Sequence, residues 1–238
     1  MKIALLGYGK MGHAIEEIAL QKGHQIVLRI NDLNLNDLTR ENIQQADVAI
    51  EFTNPQSAVD NILFCLNKNV PVVSGTTGWL EHFKTVEQKC KEENGTFLYA
   101  SNFSVGVNIF FELNKKLAAL MKPHPGYDVS LEEIHHTQKK DAPSGTAITL
   151  AEQIMASSDQ KNKWINSESK NKNELSIISK RIDEVPGTHS VKYFSGVDDI
   201  EIIHTAHSRK GFAEGAVLAA EFLEKKKGIF GMKDVLGF

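Results

Sequence analysis

A chain of 238 residues with 41% hydrophobic and 24% charged residues can bury a substantial core, and its formal net charge of −3 offers no global attraction to nucleic acid or an anionic membrane. No apolar run approaches the roughly 18 residues of a membrane span, which argues against a helical membrane protein. The two cysteines, Cys65 and Cys90, fall in apolar-periodic stretches rather than at metal-ligand spacing, so a reducing, cytoplasmic setting without disulfides is expected.

Residues 3–6 read as a buried strand ending at glycine, after which Met11, Ile15, Ile18 and Ala19 share one face of a helix that Gly23 stops. Residues 25–30 are the next strand. The rhythm recurs with strands at 47–52 and 70–73 around a helix at 55–66, then a helix at 80–90 and a strand at 97–100. Five strands interleaved with helices predict a parallel sheet covered on both faces. A longer amphipathic helix at 108–121 runs into Pro123-His124-Pro125-Gly126 with no parallel strand behind it, so a second domain is expected there. Residues 127–134 alternate as a one-sided strand, 146–155 are helical, and 175–179, 190–194 and 199–205 are strands. Strands that follow one another without helices favour an open antiparallel or mixed sheet. Residues 157–174, rich in Ser, Asn and Lys, are expected to form a solvated loop. An Ala-rich helix at 215–222 closes the chain, ended by Lys225-Lys226-Lys227-Gly228 as an exposed charged terminus.

Gly7-Tyr8-Gly9-Lys10-Met11-Gly12 satisfies G-x-G-x-x-G, and its place between a buried strand and a helix is what gives it meaning. Glycines there permit a tight turn, close approach of the backbone to a pyrophosphate and tight helix-strand packing. Dinucleotide binding is the expected role. At the end of the second strand Asn31 and Asp32 are the candidates for the adenosine ribose, while Arg29 or Lys10 is available to a 2′-phosphate, so both NADH and NADPH stay open. Gly75-Thr76-Thr77-Gly78 and Ala100-Ser101-Asn102-Phe103 follow later strands at the same sheet edge, where open α/β proteins bind ligands, and outline a cleft for the nicotinamide end.

The densest run of functional side chains is Glu132-Glu133-Ile134-His135-His136-Thr137-Gln138-Lys139-Lys140-Asp141-Ala142-Pro143-Ser144-Gly145-Thr146-Ala147. Backbone N–H groups at the helix start can receive a carboxylate, Lys139 adds positive charge nearby, and histidine suits proton transfer near neutrality. Together with a dinucleotide fold, the cluster points to reduction of a small anionic substrate.

His135-His136-x-x-Lys139-x-Asp141-Ala142-Pro143-Ser144-Gly145-Thr146-Ala147 resembles the signature of the dihydrodipicolinate reductase family, the 4-hydroxy-tetrahydrodipicolinate reductases of diaminopimelate and lysine biosynthesis. Further similarities run through Lys10-Met11-Gly12, Glu51-Phe52-Thr53, Gly75-Thr76-Thr77-Gly78, Asn102-Phe103-Ser104-Val105-Gly106-Val107-Asn108, Val185-Pro186-Gly187-Thr188, and Ser208-Arg209 before Phe212-Ala213. The resemblance implies an α/β fold: an N-terminal Rossmann-type parallel-sheet domain (1–104 and 211–238) plus an inserted α+β domain with a mixed sheet (105–210) for substrate binding and homotetramer formation. It implies His135 as catalytic acid/base and Lys139 as proton donor. His136, Ser144, Gly145 and Thr146 would hold the carboxylates of a small dicarboxylate, and Phe52 and Thr53 would join the NADH or NADPH contacts. The implied reaction couples loss of the substrate hydroxyl as water to hydride delivery. Metal, nucleic acid and membrane have no place in it.

Three departures from the family pattern bear on the cofactor: a glycine loop one residue shorter than in many members, Asn31 where an acid is common, and Asn54 where a basic residue often meets cofactor phosphate. The competing readings are a metal enzyme using His135, His136, His204 and His207, a dinucleotide sensor without turnover, and a reductase of another imine or semialdehyde.

Overall fold

In the computed structural model, which describes residues 1–208 and 210–238, the chain divides into Met1–Val105 with Lys210–Phe238, and Gly106–Arg209. The first unit begins with β1 (Lys2–Leu6), α1 (Lys10–Gln21), β2 (Gln25–Ile30), α2 (Arg40–Ile43), β3 (Val48–Glu51), α3 (Pro55–Asn67), β4 (Val72–Ser74), α4 (Phe83–Glu92) and β5 (Thr96–Tyr99). These strands are parallel in the order β2-β1-β3-β4-β5, with Leu5 level with Ile50 and Ile50 level with Val73. Period-two alternation splits each strand between two cores. Ile3 and Leu5 join Ile15, Ile18 and Leu98 on one face; Ala4 and Leu6 join Ile62, Trp79 and Phe97 on the other.

Two local readings change. The expected helix over 80–90 is a 3-10 turn, Leu80–His82, followed by α4, and residues 31–46 carry α2, whose N-cap Thr39 accepts the Asn42 N–H at 3.2 Å.

In the second unit, α5 (Val105–Met121) leads to β6 (Asp128–His135), α6 (Gly145–Ser157), β7 (Lys163–Ile165), β8 (Glu174–Arg181), β9 (Gly187–Phe194) and β10 (Asp199–Ala206). The sheet order is β10-β9-β6-β8-β7, antiparallel from β10 to β6 and parallel from β6 to β7, so the sheet is mixed. The solvated-loop reading of 157–174 is corrected here. That segment contains β7 and Lys161, which is only 5% exposed, pairs with Asp128 at 2.6 Å and donates to the Glu174 carbonyl at 2.8 Å. A buried ammonium is tolerated because both partners replace lost water.

The chain then returns to the first sheet through α7 (Lys210–Phe222), β11 (Gly228–Phe230) and α8 (Met232–Leu236). α7 starts at Lys210, earlier than its apolar pattern indicated, and packs Ala213, Ala216, Val217 and Ala220 into the core shared with Ile3 and Leu5. Gly215 is indispensable: a Cβ there would lie 1.8 Å from the Phe103 carbonyl oxygen. β11 pairs in parallel with β5 as a sixth strand that the sequence pattern did not reveal. No described helix is long and apolar enough to cross a membrane. Of the Ser208-Arg209 motif, Arg209 lies outside the described residues.

Candidate active site

In the first unit the chain leaves β1 through Gly7, whose φ of +95° and missing side chain are both required, since a Cβ would lie 2.0 Å from the Phe52 carbonyl oxygen. Gly12, in the first turn of α1, faces the Gly7 carbonyl, which a Cβ would meet at 2.6 Å. Gly9 differs from both. Nothing lies within 4 Å of the place its Cβ would occupy, and as N-cap it brings no side chain to the N–H groups that open α1. The first turn of α1 has no acidic residue either, so the loop leaves open donors and a positive helix end, which fits a pyrophosphate.

Gly7, Tyr8, Gly9, Asn31, Asp32, Phe52 and Thr53 line one cleft of ≈ 500 Å³. Lys10 is exposed on α1, and Met11 packs against the core. Gly75 lies against the Phe52 ring, Thr76 is buried and Thr77 exposed. Phe103 is buried 5.5 Å from the Phe52 ring and Ala100 is also in the core, leaving Ser101 exposed and Asn102 half-buried. The segments Gly75-Thr76-Thr77 and Ala100-Ser101-Asn102-Phe103 follow β4 and β5 at the same sheet edge as the glycine loop.

The polar groups near β2 are already engaged. Arg29 Nε donates to Glu16 at 3.0 Å, the Tyr8 hydroxyl donates to the same carboxylate, and the guanidinium lies 5.8 Å from the centre of the Tyr8 ring. The Arg29 hydrogen bond holds Glu16 below the usual carboxylate range. Asn31 forms a turn with its N–H on Asn34 Oδ1 at 2.8 Å and its Oδ1 accepting the Leu33 N–H at 2.9 Å. Asn54 caps α3 by accepting the Ser57 N–H at 3.0 Å. Among the described residues, the charged side chains lining the cleft are Asp32 and Asp60; no lysine or arginine lines it.

Behind this cleft lies a carboxylate to which the sequence reading gave no role. Glu51, fully buried at the end of β3, accepts from Ser74 Oγ at 2.6 Å, Thr76 Oγ1 at 2.7 Å, and both the N–H (2.9 Å) and hydroxyl of Thr53. It ties the Phe52-Thr53 turn to the Gly75-Thr76 turn.

The second unit assembles the other candidate residues around β6. Buried and half-buried residues alternate strictly along this strand, so Glu133 and His135 share the buried phase of Val129 and Leu131. Register sets Glu133 opposite His189 on β9 and opposite Ser179 on β8, with Arg181 opposite His135. Both Glu133 oxygens accept the Ser144 N–H at 3.1 Å, and Arg181 donates at 3.2 Å. The Nε2 atoms of His135 and His189 stand 3.4 and 3.7 Å from Glu133 Oε2 and 3.3 Å from each other. Burial pushes the Glu133 pKa upward, but hydrogen bonds from His135, His189, Ser144 and Ser179 outweigh it and hold the group ionised far below the usual range. Burial pushes the His189 pKa down, more than the Glu133 carboxylate raises it.

Ser144 is the N-cap of α6: its hydroxyl accepts the Ala147 N–H at 3.2 Å and meets His189 Nε2 at 3.1 Å. With Ser144 thus occupied, Gly145 and Thr146 supply the first-turn N–H groups that lack intrahelical acceptors, and no atom would contact a Cβ on Gly145. Lys139 is paired with Asp141 at 2.8 Å. Arg181 holds that loop from below, donating to the Lys139 carbonyl at 3.3 Å and the Asp141 carbonyl at 2.5 Å. His136 faces a separate hollow lined by Thr137, Asp183, Val185 and Pro186.

Glu133, His135 and His189 also each offer one metal-ligand type of atom within 4.8 Å of the others, the one such group among the described residues. His136, His204 and His207 are not part of it. The carboxylate of this trio already accepts an amide and a guanidinium, so the residues present describe a closed hydrogen-bond network rather than an open coordination sphere.

The sequence matches the family model described as dihydrodipicolinate reductase, N-terminus, over residues 1–103, and that described as dihydrodipicolinate reductase, C-terminus, over residues 106–236. It is 53% identical over 237 residues to a 4-hydroxy-tetrahydrodipicolinate reductase of Christiangramia forsetii, covering 99% of this chain and 98% of that protein. A Methanocaldococcus jannaschii protein of the same name is 37% identical over 198 residues, 80% of this chain and 71% of its own. The solved dipicolinate-bound dihydrodipicolinate reductase from Paenisporosarcina sp. TG-14 shares the fold with a TM-score of 0.78 at 22% identity, covering 98% of each chain.

Proposed function

The chain belongs to the dihydrodipicolinate reductase family, and on that premise we propose the following division of labour for the reduction of 4-hydroxy-tetrahydrodipicolinate to tetrahydrodipicolinate in lysine and diaminopimelate biosynthesis. The enzyme is an NAD(P)H-dependent oxidoreductase. The reaction consumes one hydride and one proton and releases the substrate hydroxyl as water. When bound, the nicotinamide supplies the hydride; the protein must hold the anionic substrate and move the proton.

The glycine loop and the start of α1 receive the pyrophosphate, Asn31 and Asp32 meet the adenosine ribose, and the turns Phe52-Thr53, Gly75-Thr76-Thr77 and Ala100-Ser101-Asn102-Phe103 border the nicotinamide end. In the second unit the Gly145 and Thr146 N–H groups take one carboxylate, with Ser144 shaping the turn and His136 on the substrate's flank. Lys139 exchanges Asp141 for the substrate, offsets the negative charge that develops on reduction, and donates the proton, with His135 as acid/base. The supporting observation is the gathering of His135, the open start of α6 and, through Arg181, the Lys139 loop around one buried carboxylate.

We propose that residues 1–104 and 211–238 act as the dinucleotide-binding domain and 105–210 as the substrate-binding and oligomerisation domain. The enzyme works in the cytoplasm as a homotetramer on a small dicarboxylate, with no nucleic acid or membrane partner. Two buried free thiols suit a reducing compartment, and the exposed Ile200 and Ile203 of edge strand β10 suit self-association.

The test couples a synthase that forms 4-hydroxy-tetrahydrodipicolinate to this protein and follows NADH and NADPH oxidation in parallel with product mass. Stoichiometric reduced, dehydrated product is expected. Absence of both product and nucleotide oxidation overturns the reading.

A further inference from the structure

We propose that Glu133 is a positioning residue for this reduction: its buried carboxylate, acting with Arg181, sets the His135 ring, the Lys139 loop and the start of α6 in one fixed geometry. The inference rests on the roles assigned above to His135, Lys139 and α6.

Four observations converge on it. Glu133 continues the buried phase of Val129 and Leu131, where a leucine would pack without any need for partners. Its partners are the groups that the chemistry uses, or their immediate holders. Ser144 opens the carboxylate-binding helix, His135 is the acid/base, and Arg181 grips the carbonyls of Lys139 and Asp141. With Nε2–H of His135 directed at Glu133, the ring is held in one tautomer and Nδ1 is the nitrogen left for exchange. Finally, Gly187 makes room for the ring itself: a Cβ there would lie 2.9 Å from His135 Cε1 and 3.1 Å from Nδ1, so the ring keeps this place only because residue 187 has no side chain.

His189 completes the arrangement. Its Nε2 meets Ser144 Oγ and the His135 ring, while its buried Nδ1 has no hydrogen-bond partner. The same Nε2 lies 3.7 Å from Glu133 Oε2, so this second imidazole stands in the polar cluster that the carboxylate anchors. One carboxylate therefore orders two imidazoles and the cap of α6.

The experiment compares wild type, Glu133→Gln and Arg181→Lys by steady-state kinetics, nucleotide titration and ¹⁵N spectra of the histidine rings. Glutamine keeps the shape and one acceptor but removes the charge; lysine keeps the charge but cannot fork to a carboxylate and two carbonyls. For Glu133→Gln, kcat is expected to fall by about 10²-fold while the nucleotide Kd stays within about twofold, and the His135 ring changes from one tautomer to a mixture. For Arg181→Lys, the substrate KM is expected to rise by about tenfold with the same nucleotide affinity. If Glu133→Gln does not fold, Arg181→Lys carries the test. Unchanged kcat, KM and His135 spectrum in an active background overturn the proposal, as does a loss of rate matched by an equal loss of nucleotide-binding sites. An inactive wild type instead overturns the functional reading, and the ring spectra still decide whether Glu133 sets the tautomer.

Discussion

Gly9 and Gly12 stand three residues apart and should respond oppositely to a methyl group. In Gly9→Ala the new Cβ meets nothing within 4 Å, so unfolding should shift by less than about 1 kcal/mol while the nucleotide Kd, followed by fluorescence titration, rises about tenfold. In Gly12→Ala the Cβ lies 2.6 Å from a backbone oxygen, so thermal unfolding should reveal a loss of about 1–3 kcal/mol. The acids Asp32 and Asp60, with Arg29 held by Glu16, make the cleft unwelcoming to a 2′-phosphate, so NADH is expected to bind more tightly than NADPH. Asp32→Asn should narrow that gap by about fivefold; equal wild-type affinities for the two nucleotides would dispose of the argument. Lys139→Ala should lower turnover by about 10²–10⁴-fold with nucleotide affinity intact, and normal turnover would remove Lys139 from the chemistry. The glycine loop and the His135 to Thr146 run could be read from sequence because each is contiguous. Glu133, Arg181 and His189 could not be read in the same way: their contacts cross three strands, with a sequence separation of 48 for Glu133 and Arg181 and of 54 for His135 and His189. The available signal was an acid in the apolar phase of β6.

The strands of the second unit carry a pH dependence. Burial lowers the pKa of both His189 and His204 below 6.5, so the unfolded chain binds more protons there than the folded one, and stability must rise with pH across that range. The contribution is complete above about 6.5 and is lost as pH falls through the depressed folded values. Glu133 acts with the same sign further down, its stabilisation being lost only as pH drops below the ordinary carboxylate range. The unfolding midpoint is therefore expected to fall between about pH 7.5 and 5.5, with a shallower slope in His189→Asn; identical slopes would contradict the assignment. At this scale the sequence pattern revealed the long elements and the apolar run of β4 but missed other short ones. β7 and β11 have three residues each, too few to display alternation, and their places are secured by backbone pairing with β8 and β5. α2 escaped for the same reason: four residues make one turn and show no amphipathic face.

For the whole molecule, assembly and chain path matter most. Among the described residues β10 leaves one edge of its sheet unpaired and carries Ile203 at 59% exposure, so under the proposed homotetramer Ile203→Lys should reduce the mass measured by light scattering to that of a smaller species. An unchanged mass would place the self-association surface elsewhere. The change in rhythm after β5 made a second unit legible, whereas the return of the chain to the first sheet showed only as an Ala-rich helix of unassigned partner. That return has a consequence during translation. A ribosome that has delivered β1 to β5 has not yet supplied α7, whose alanines fill the core beside Ile3 and Leu5, or β11, which covers the open side of β5. The whole of the second unit must emerge first. The nascent first unit thus waits with a bare strand and an uncovered apolar face, the state in which chaperones engage a growing polypeptide and in which a stalled one aggregates.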